Sequence, residues 1–443
     1  MPSDTIFALA TPPGKSGVAI IRLSGQQSLP ALRRLSGLAP PAPRMAQYVT
    51  LCAQAGGIID RGLAIYFKSP HSFTGEDVVE LHIHGGRAVI KELLDVLGAE
   101  DGLRPAEPGE FSHRAFVNGK MDLMEAEGLA DLVDAETSAQ KTQAMRQMQG
   151  EMSARHEDIR QRIVQALAYL EAYIDFPDEE IPESVLAQLA GNIKTLQSVI
   201  TGALADHKRG ERLREGISIV ILGAPNVGKS SLLNAMAKRE AAIVSAQAGT
   251  TRDIIEVHMD IAGYPVVLAD TAGLRAAGDA IEEEGVRRAL ARAGEADIKL
   301  VLFDGSQPNV SDAPGLALMD ESALAVVNKS DIMILHDNIL TFKQKPIYVS
   351  AKTGQGIELL LKAIEENILA FFSGGSTPFI TRSRHRALLT DAADHLGRSL
   401  ADIPPELKCE ELRLAAQAIG KITGKIAVDD VLDVVFSQFC IGK

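Results

Sequence analysis

The chain has 443 residues, more than a single hydrophobic core usually supports, so two or three domains are expected. A hydrophobic content of 46% excludes a disordered chain, and a formal net charge of −13 excludes a non-specific binder of polyanions. Three widely spaced cysteines, Cys52, Cys409 and Cys440, argue against a disulfide framework. Residues 1–15 lack the features of a signal peptide and no stretch has membrane-spanning length, so we expect a cytoplasmic protein without membrane contact.

The first two segments differ in composition and in the secondary structure that they predict. Short β-like runs such as "GVAIIRL" and "VVELHIH", followed by the helical "AVIKELLDVL", are typical of an α+β domain. From about Met121 to Arg214 the chain is rich in helix formers, and apolar residues recur at helical spacing along one face. We therefore expect a helical bundle there, interrupted only at 175–182. Its apolar face holds Ile159, Ile163, Leu167, Leu170 and Ile174.

A third pattern begins at Ile217. The apolar run "ISIVIL" and the later "VVLAD", "IKLVLF" and "ALAVVN" alternate with helical segments, as in a doubly wound parallel sheet. After a Gly and Pro break near 374–378 the chain is again helical and needs a partner to bury its apolar faces. The predicted architecture is an α+β domain at 1–119, a helical domain at 120–214 and 374–443, and an inserted α/β Ras-like P-loop domain at 215–373.

A phosphate-binding loop, "GAPNVGKS" at 223–230, follows the strand at Ile217 and opens a helix. Its N–H groups would cradle phosphates, Lys229 would neutralise the β and γ groups, and Ser230 would ligate Mg²⁺. "GTTRD", "DTAG", "NKSD" and "SAK" follow in the order found in GTPases, with Thr251 as a second Mg²⁺ ligand and Asp270 beside a metal-bound water. The expected ligands are therefore GTP or GDP and Mg²⁺.

The base is predicted from the last two motifs. Asp331 can accept hydrogen bonds from the guanine N1–H and amino group, which adenine does not offer. "SAK", at 350–352, supplies a backbone N–H for the carbonyl oxygen. A site built around such a buried carboxylate rejects an analogue that leaves it unpaired.

The motifs do not decide which residues orient the attacking water and supply a cation at the phosphates. Leu274 follows "DTAG" and cannot orient water, so one of Glu282, Glu283 and Glu284 either takes that role or is a solvated first-turn helix acid. Asn226 either ligates a monovalent cation or only tightens the turn.

Other features also admit two interpretations. Glu80, His82 and His84 alternate along a predicted strand and so lie on one face of it. They are either metal ligands or structural residues. In the terminal "FCIGK", Gly442 and Lys443 argue against lipid attachment, and Cys440 is either a reactive thiol or a buried small side chain. The basic segments 208–214 and 381–386 either form a local nucleic-acid contact or are solvated faces or helix C-terminal charges.

Longer stretches carry a family resemblance. These include "ATPPGKSGVAIIRLSG", "SFTGEDVVELHIHGG", "PGEFSHRAFVNGKMDLMEAEGLADLVDAET", "DTAGLR" and the terminal "CIGK". Over essentially its whole length the chain resembles the MnmE (TrmE) family. The resemblance implies a potassium-stimulated GTPase that forms a homodimer. With an FAD-containing MnmG (GidA) partner, in a heterotetramer, it would add a carboxymethylaminomethyl-type group to C5 of the wobble uridine of certain tRNAs. A tetrahydrofolate, in the 5-formyl or 5,10-methylene form, would supply the one-carbon unit.

Carried over by motif position, the resemblance makes Glu282, Lys229 and Asn226 catalytic, and so favours a functional role for Glu282. Potassium would be held by Asn226, Ser245, Gln247 and Thr250, although the loop around Gln247 is more polar than is usual in the family. The folate pocket would involve Arg22, Glu80, Lys120 and Lys443. The predicted GTP-binding residues are Asn226, Val227, Gly228, Lys229, Ser230, Ser231, Ser245, Gly249, Thr250, Thr251, Asp270, Thr271, Ala272, Gly273, Asn328, Lys329, Asp331, Ser350, Ala351 and Lys352.

Three other functions fit the sequence less well. An RNA-binding assembly GTPase of the Era or Der type would need a KH-like domain or tandem G domains, and the sequence has neither. A dynamin-like GTPase would need a membrane-binding segment, and the helical parts show ordinary amphipathic spacing. A stand-alone folate aminomethyltransferase would not need a complete set of GTPase motifs.

Overall fold

The computed structural model divides the chain into two compact units. The first contains residues 1–130, 147–162 and 416–443, and the second contains 131–146 and 163–415. The structure describes residues 4–53, 56–175, 183–239, 256–270, 294, 296–307, 319–333, 345–373, 378–426, 432, 435–437, 439 and 442, with the backbone alone at 183–186 and 270.

The first unit is built on a six-stranded sheet with the strand order β3-β4-β5-β2-β1-β6. All neighbouring strands are antiparallel except β1 and β6, which are parallel. The strands are β1 Thr5–Leu9, β2 Ser16–Ser24, β3 Ala46–Cys52, β4 Ile58–Phe67, β5 Val78–Gly85 and β6 Leu103–Pro105. Its first helices are α1 Ser28–Ser36, α2 Arg87–Gly98 and α3 Glu110–Val117.

Helices α1 and α2 cover one face of this sheet. Leu32, Leu35, Leu93 and Leu97 are buried there among alternate residues of the strands. Strand alternation places the remaining residues on the opposite face, where Tyr48 is 64% exposed. The predicted strands "GVAIIRL" and "VVELHIH" and the helix after them are confirmed.

The remaining helices are α4 Leu123–Asp134, α5 Ser138–Met148, α6 Glu151–Asp175, α7 Glu183–Ala205, α8 His207–Glu215, α9 Lys229–Arg239, α10 Ile357–Phe372, α11 Ser383–Ser399 and α12 Pro405–Thr423. The expectation of one interruption in the first helical segment is wrong, because further breaks separate α4, α5 and α6 and also α7 and α8. Gly150, with φ 79°, ends the α5 segment in a left-handed conformation. On the predicted apolar face, Ile159, Ile163 and Leu170 are buried.

The second sheet has the order β12-β11-β10-β7-β9-β8. Its pairs are parallel except for the antiparallel hairpin of β8 and β9. The predicted parallel α/β core is confirmed, whereas β8 and the short β12 were not predicted. The strands are β7 Ile217–Gly223, β8 Glu256–Ile261, β9 Tyr264–Asp270, β10 Ile298–Asp304, β11 Ala323–Asn328 and β12 Ile347–Tyr348.

One carboxylate holds both ends of the segment that contains this second sheet. Asp131 Oδ1 accepts hydrogen bonds from Arg214 Nε at 3.2 Å and from Arg382 Nη2 at 2.6 Å. Arg214 lies in the last turn of α8, and Arg382 precedes α11. The chain therefore leaves for the sheet and returns from it beside one side chain. The domain limits at 119, 214 and 373 stay a prediction.

Acid should weaken the first unit through Glu157, whose carboxylate is bound by Arg160, Gln161 and Lys425. Hydrogen bonds from Arg160 outweigh partial burial and lower the Glu157 pKa to about 2. Because the pKa is lower in the folded chain, this stabilisation is complete above pH 5 and is lost as the pH falls towards 2. Glu157→Gln should therefore lower the free energy of unfolding by at most about 2 kcal/mol at pH 7.

Chemical denaturation of both proteins from pH 7 down to pH 3 measures this difference, which should shrink with acid. The control is Glu151→Gln, because Glu151 pairs with Arg155 at 3.1 Å on a more exposed part of α6. That change should cost less than about 0.5 kcal/mol. A Glu157→Gln difference that is constant over this pH range would contradict the assignment.

Candidate functional site

The loop between β7 and α9 is shaped for close backbone approach. Asn226 has φ 63° and Gly228 has φ 99°, both in the left-handed region. A Cβ on Gly228 would lie 2.3 Å from Asn328 Nδ2, so only glycine fits there. The loop leads into the N-terminus of α9, where the positive end of the helix dipole favours an anion.

Lys229 lies over this loop. Its Nζ donates hydrogen bonds to the carbonyl oxygens of Gly223, at 2.9 Å, and Ala224, at 3.0 Å. The ammonium is therefore held at the mouth of the loop, where the negative charge of a phosphate group would be favoured. Ser230 and Ser231 are exposed in the first turn of α9.

Asn328 joins three predicted motifs. Its side chain is 2% exposed at the end of β11. Nδ2 donates to the Val227 carbonyl at 2.8 Å, and Oδ1 accepts from the Ala351 N–H at 3.0 Å. The phosphate loop and the "SAK" loop are thus tied to one amide. Sequence reasoning placed Asn328 at the base but did not find this bridge.

Asp331 lies at the surface on a short 3-10 turn, Ser330–Ile332, and the residue is exposed. Burial of its carboxylate against a base stays a prediction. Its Oδ1 accepts from Ser350 Oγ at 2.7 Å, and Ser350 is fully buried. The buried Ser350 hydroxyl thus orients the Asp331 carboxylate, which a bound guanine ring would cover.

Asp304 is a site residue that sequence reasoning missed. It ends β10, and its Oδ2 pairs with Lys329 Nζ at 2.6 Å. Burial opposes ionisation, but hydrogen bonds from Lys329 and Ser306 outweigh it and lower the Asp304 pKa. The available signal was an acid at the end of a strand adjacent to the "NKSD" strand. This pair holds Lys329, whose backbone has φ 64°.

In the first unit, Arg22 and Glu80 face each other across β2 and β5. Arg22 Nε and Nη2 lie 3.0 Å and 2.9 Å from Glu80 Oε1. The guanidinium carbon is 5.5 Å from the ring centre of Phe73 and 5.7 Å from that of Phe111. A cation and an acid on one sheet therefore lie beside two aromatic rings.

The end of the chain reaches the same place. Arg22 Nη1 donates to the Gly442 carbonyl at 3.4 Å. Gly442 has φ 103°, and a Cβ there would lie 2.3 Å from the Leu9 carbonyl oxygen, so the tail lies tightly against β1. Lys120 Nζ donates to the Pro70 carbonyl at 3.0 Å.

Family models match most of the chain. A model described as the GTP-binding protein TrmE N-terminus matches residues 5–120, and one described as the MnmE helical domain matches residues 123–440. The tRNA modification GTPase MnmE of Paramagnetospirillum magneticum is 52% identical over 443 residues and covers 100% of both chains. The chain belongs to the MnmE family. The predicted family, fold class and enzyme class, a GTPase of a tRNA modification family, are confirmed.

A second MnmE relative, from Parvibaculum lavamentivorans, is also 52% identical and covers 99% of this chain and 100% of its own. Among solved structures, the FeoB G domain from Methanococcus jannaschii is 23% identical with a TM-score of 0.26. It covers 34% of this chain and 97% of that one. A score this low carries no argument.

In this MnmE family member, His82 and His84 have acidic neighbours. His84 Nδ1 lies 2.9 Å from Asp60 Oδ1, and His82 Nε2 lies 3.6 Å from Glu80 Oε2. Burial opposes ionisation of Asp60, but hydrogen bonds from His84 outweigh it and lower the Asp60 pKa. In the described ranges no group of three His, Cys, Asp or Glu side chains could hold a metal ion.

The two basic segments use arginines in ion pairs. Arg212 pairs with Asp297 at 2.8 Å, and Arg386 pairs with Glu211 at 2.9 Å. Arg214 and Arg382 meet at Asp131, as described above. These contacts support a structural interpretation of both segments. No helix in the part of the chain that the structure describes is long and apolar enough to cross a membrane.

Several predicted residues lie outside the described part of the chain, so their placement stays a prediction. For Asp270 the structure gives the backbone at the end of β9. Lys352 is exposed beside Ala351. The residues outside the description are Ser245, Gln247, Gly249, Thr250, Thr251, Thr271, Ala272, Gly273, Glu282, Cys440 and Lys443.

Proposed function

We propose that this chain binds and hydrolyses GTP as a potassium-stimulated tRNA modification enzyme of the cytoplasm. The single observation that supports the nucleotide site best is the Asn328 bridge between the phosphate loop and the "SAK" loop. It holds the phosphate-binding and base-binding elements in one arrangement, which reduces the ordering cost of binding. The Lys229 ammonium above the loop supplies the complementary charge.

The donor set fits the metal ions expected at this site. Ser230 and Thr251 would hold Mg²⁺, and Asn226, Ser245, Gln247 and Thr250 would hold K⁺. When bound, the two cations supply positive charge against the phosphate oxygens. Lys229 and the loop N–H groups position those oxygens. Glu282 would orient the attacking water.

Arg22 and Glu80 support the folate part of the proposal. A carboxylate suits the amino-pyrimidine end of a pterin, and a cation suits the glutamate tail of a folate. Phe73 and Phe111 offer apolar surface beside the pair. Lys120 and Lys443 would complete the set. With an FAD-containing MnmG-type partner in a heterotetramer, the chain would then modify C5 of the wobble uridine in tRNA.

The experiment that tests this function is a reconstitution. The purified chain, an FAD-loaded MnmG-type partner, tRNA, GTP, methylene-tetrahydrofolate, glycine as the amine that completes the group, and a reductant for the FAD are combined, and the nucleosides are analysed by mass spectrometry. Modified uridine should form only in the complete mixture. Glu80→Gln should lower its yield at least about tenfold, because the acid is lost while the shape is kept, and GTP hydrolysis should persist.

Asp60→Asn is the matched control, because Asp60 is also an acid on this sheet but pairs with His84. Its product yield should stay close to that of the unmodified chain. Full activity of Glu80→Gln would remove Glu80 from the folate site. An absence of modified uridine with the unmodified chain would refute the proposed function.

A homodimer is also part of the proposal, and the open sheet face supports it. Register aligns Tyr48, Leu63, His82 and Ile20 in one row across four strands. Tyr48 is 64% exposed and Leu63 is 42% exposed. The adjacent row contains Glu80 and Arg22. Apolar residues on an open sheet face favour association with a second copy.

Placing charge on this face should separate the copies. Tyr48→Glu with Leu63→Glu should raise the dimer dissociation constant at least about 100-fold, because two carboxylates would lose water in the interface. Sedimentation equilibrium measures the change. Leu407→Glu, at a residue 54% exposed on α12, is the control and should leave association unchanged. A stable dimer in the double variant would place the interface elsewhere.

A further inference from the structure

The first turn of α5 is capped partly by its own segment. Gln140 N–H donates to Thr137 Oγ1 at 3.3 Å, and Gln140 Oε1 accepts from Thr137 N–H at 3.1 Å. This reciprocal arrangement is a capping box. The N–H of Ala139, the second residue of the helix, is a donor that a helix cannot satisfy internally. It donates to the carbonyl of Gly263 at 3.0 Å.

Gly263 lies at the tip of the β8–β9 hairpin. Ala262 has φ 55° and Gly263 has φ 85°, and Ile261 pairs with Tyr264, as in a two-residue type I′ turn. Gly263 N–H donates to Asp260 Oδ1 at 2.7 Å. The turn is therefore tight, and the two strands and the tip should move as one body.

The approach of the tip to α5 is close. A Cβ on Gly263 would lie 2.6 Å from Ser138 Oγ. On the other side, the Tyr264 ring stacks on Phe372 at 4.6 Å with an interplanar angle of 12°. The tip thus lies between the start of α5 and the end of α10.

Both strands of this hairpin continue into predicted switch segments. β8 begins at Glu256, five residues after the predicted Mg²⁺ ligand Thr251, and β9 ends at Asp270, the first residue of "DTAG". A shift of either strand at its nucleotide end would be carried to the tip. The first turn of α5 would then gain or lose the carbonyl that caps it.

We propose that the Gly263 carbonyl is a nucleotide-sensitive cap, which couples the state of the bound guanine nucleotide to the stability of α5. The inference rests on the proposed GTPase function and adds a route by which that site controls the helical part of the chain. Coupling through one cap is modest, about fivefold in an equilibrium, which is within the usual range for linked sites.

Hydrogen exchange of the full chain tests the cap. Amide exchange in residues 140–148 is compared between GDP and GDP with aluminium fluoride and potassium, and the rates should differ about fivefold or more. Ala139→Pro removes the N–H donor within the first turn of α5, where helices tolerate proline, and should abolish the difference. Persistence of the difference in Ala139→Pro would overturn the proposal.

A second pair of variants acts from the hairpin side. Gly263→Ala should abolish the difference, because its Cβ meets Ser138 Oγ and a side chain is strained at φ 85°. Ser138→Ala alone leaves the Ala139 donor and the Gly263 carbonyl in place and should keep the difference, whereas persistence of the difference in Gly263→Ala would overturn the proposal. GTP hydrolysis is measured on every sample. Hydrolysis with no nucleotide-dependent exchange in the unmodified chain would overturn the cap alone, whereas absence of hydrolysis would refute the proposed function.

Discussion

Asp331→Asn should lower the affinity for GTP by roughly 10²- to 10⁴-fold, the range expected when a site loses a hydrogen-bonded contact that selects its ligand. The carboxylate would accept from guanine N1–H and the amino group, whereas an asparagine amide would present a donor to that amino group. Xanthine carries a carbonyl at the same position. The variant should therefore prefer XTP, and competition of both nucleotides against a fluorescent GDP analogue measures the change.

Ser350→Ala is the matched control for this prediction. It removes the hydroxyl that donates to Asp331 Oδ1 at 2.7 Å but keeps the carboxylate. Loss of one such hydrogen bond should lower affinity by about tenfold and leave the preference for guanine intact. If Asp331→Asn lowered the affinities for GTP and XTP equally, Asp331 would not be the base-reading residue.

Potassium should stimulate GTP hydrolysis at least about tenfold over sodium at equal ionic strength, and Asn226→Gly should lose that stimulation. Removal of one group that stabilises transition-state charge typically costs about 10²- to 10³-fold, so the effect is large enough to distinguish the two roles of Asn226. The measurement is phosphate release at saturating GTP in each salt.

The choice of glycine follows from the backbone of Asn226. At φ 63° an alanine would be strained, so Asn226→Ala confuses loss of the amide with damage to the turn. Glycine accepts this conformation and lacks only the amide. If Asn226→Gly kept the stimulation while Asn226→Ala lost it, Asn226 would serve the turn and a different group would hold the cation.

The sequence was most informative where one residue type is physically required. Glycines in the phosphate loop, apolar parallel strands and the order of the GTPase motifs each permit few alternatives, and the α/β core was predicted from them. The strand β8 was missed because "EVHMDI" is half polar and lies at a sheet edge. The breaks around α5 were missed because Thr137, Gln140 and Gly150 act through local geometry that helical periodicity does not reveal.

In the candidate site, too, single motif residues could be predicted from the sequence, whereas contacts between distant segments could not. The motifs identify Asn328 and Asp331, but the bridge to Val227 and the hydrogen bond from Ser350 to Asp331 depend on how separate loops meet. Asp304 was not nominated because its partner, Lys329, comes from the neighbouring strand. Contacts between segments distant in sequence require the register of the sheet, which composition and spacing do not determine.

The meeting of Arg214 and Arg382 at Asp131 has a consequence for chain entropy. A long segment whose ends must be brought together adds a closure cost that grows only with the logarithm of its length. When the two ends are already held by one carboxylate, the flanking helices need no rearrangement to accommodate whatever lies between them. The position beside Asp131 is therefore one where a whole folding unit could be gained, lost or exchanged with little effect on the helices that carry it.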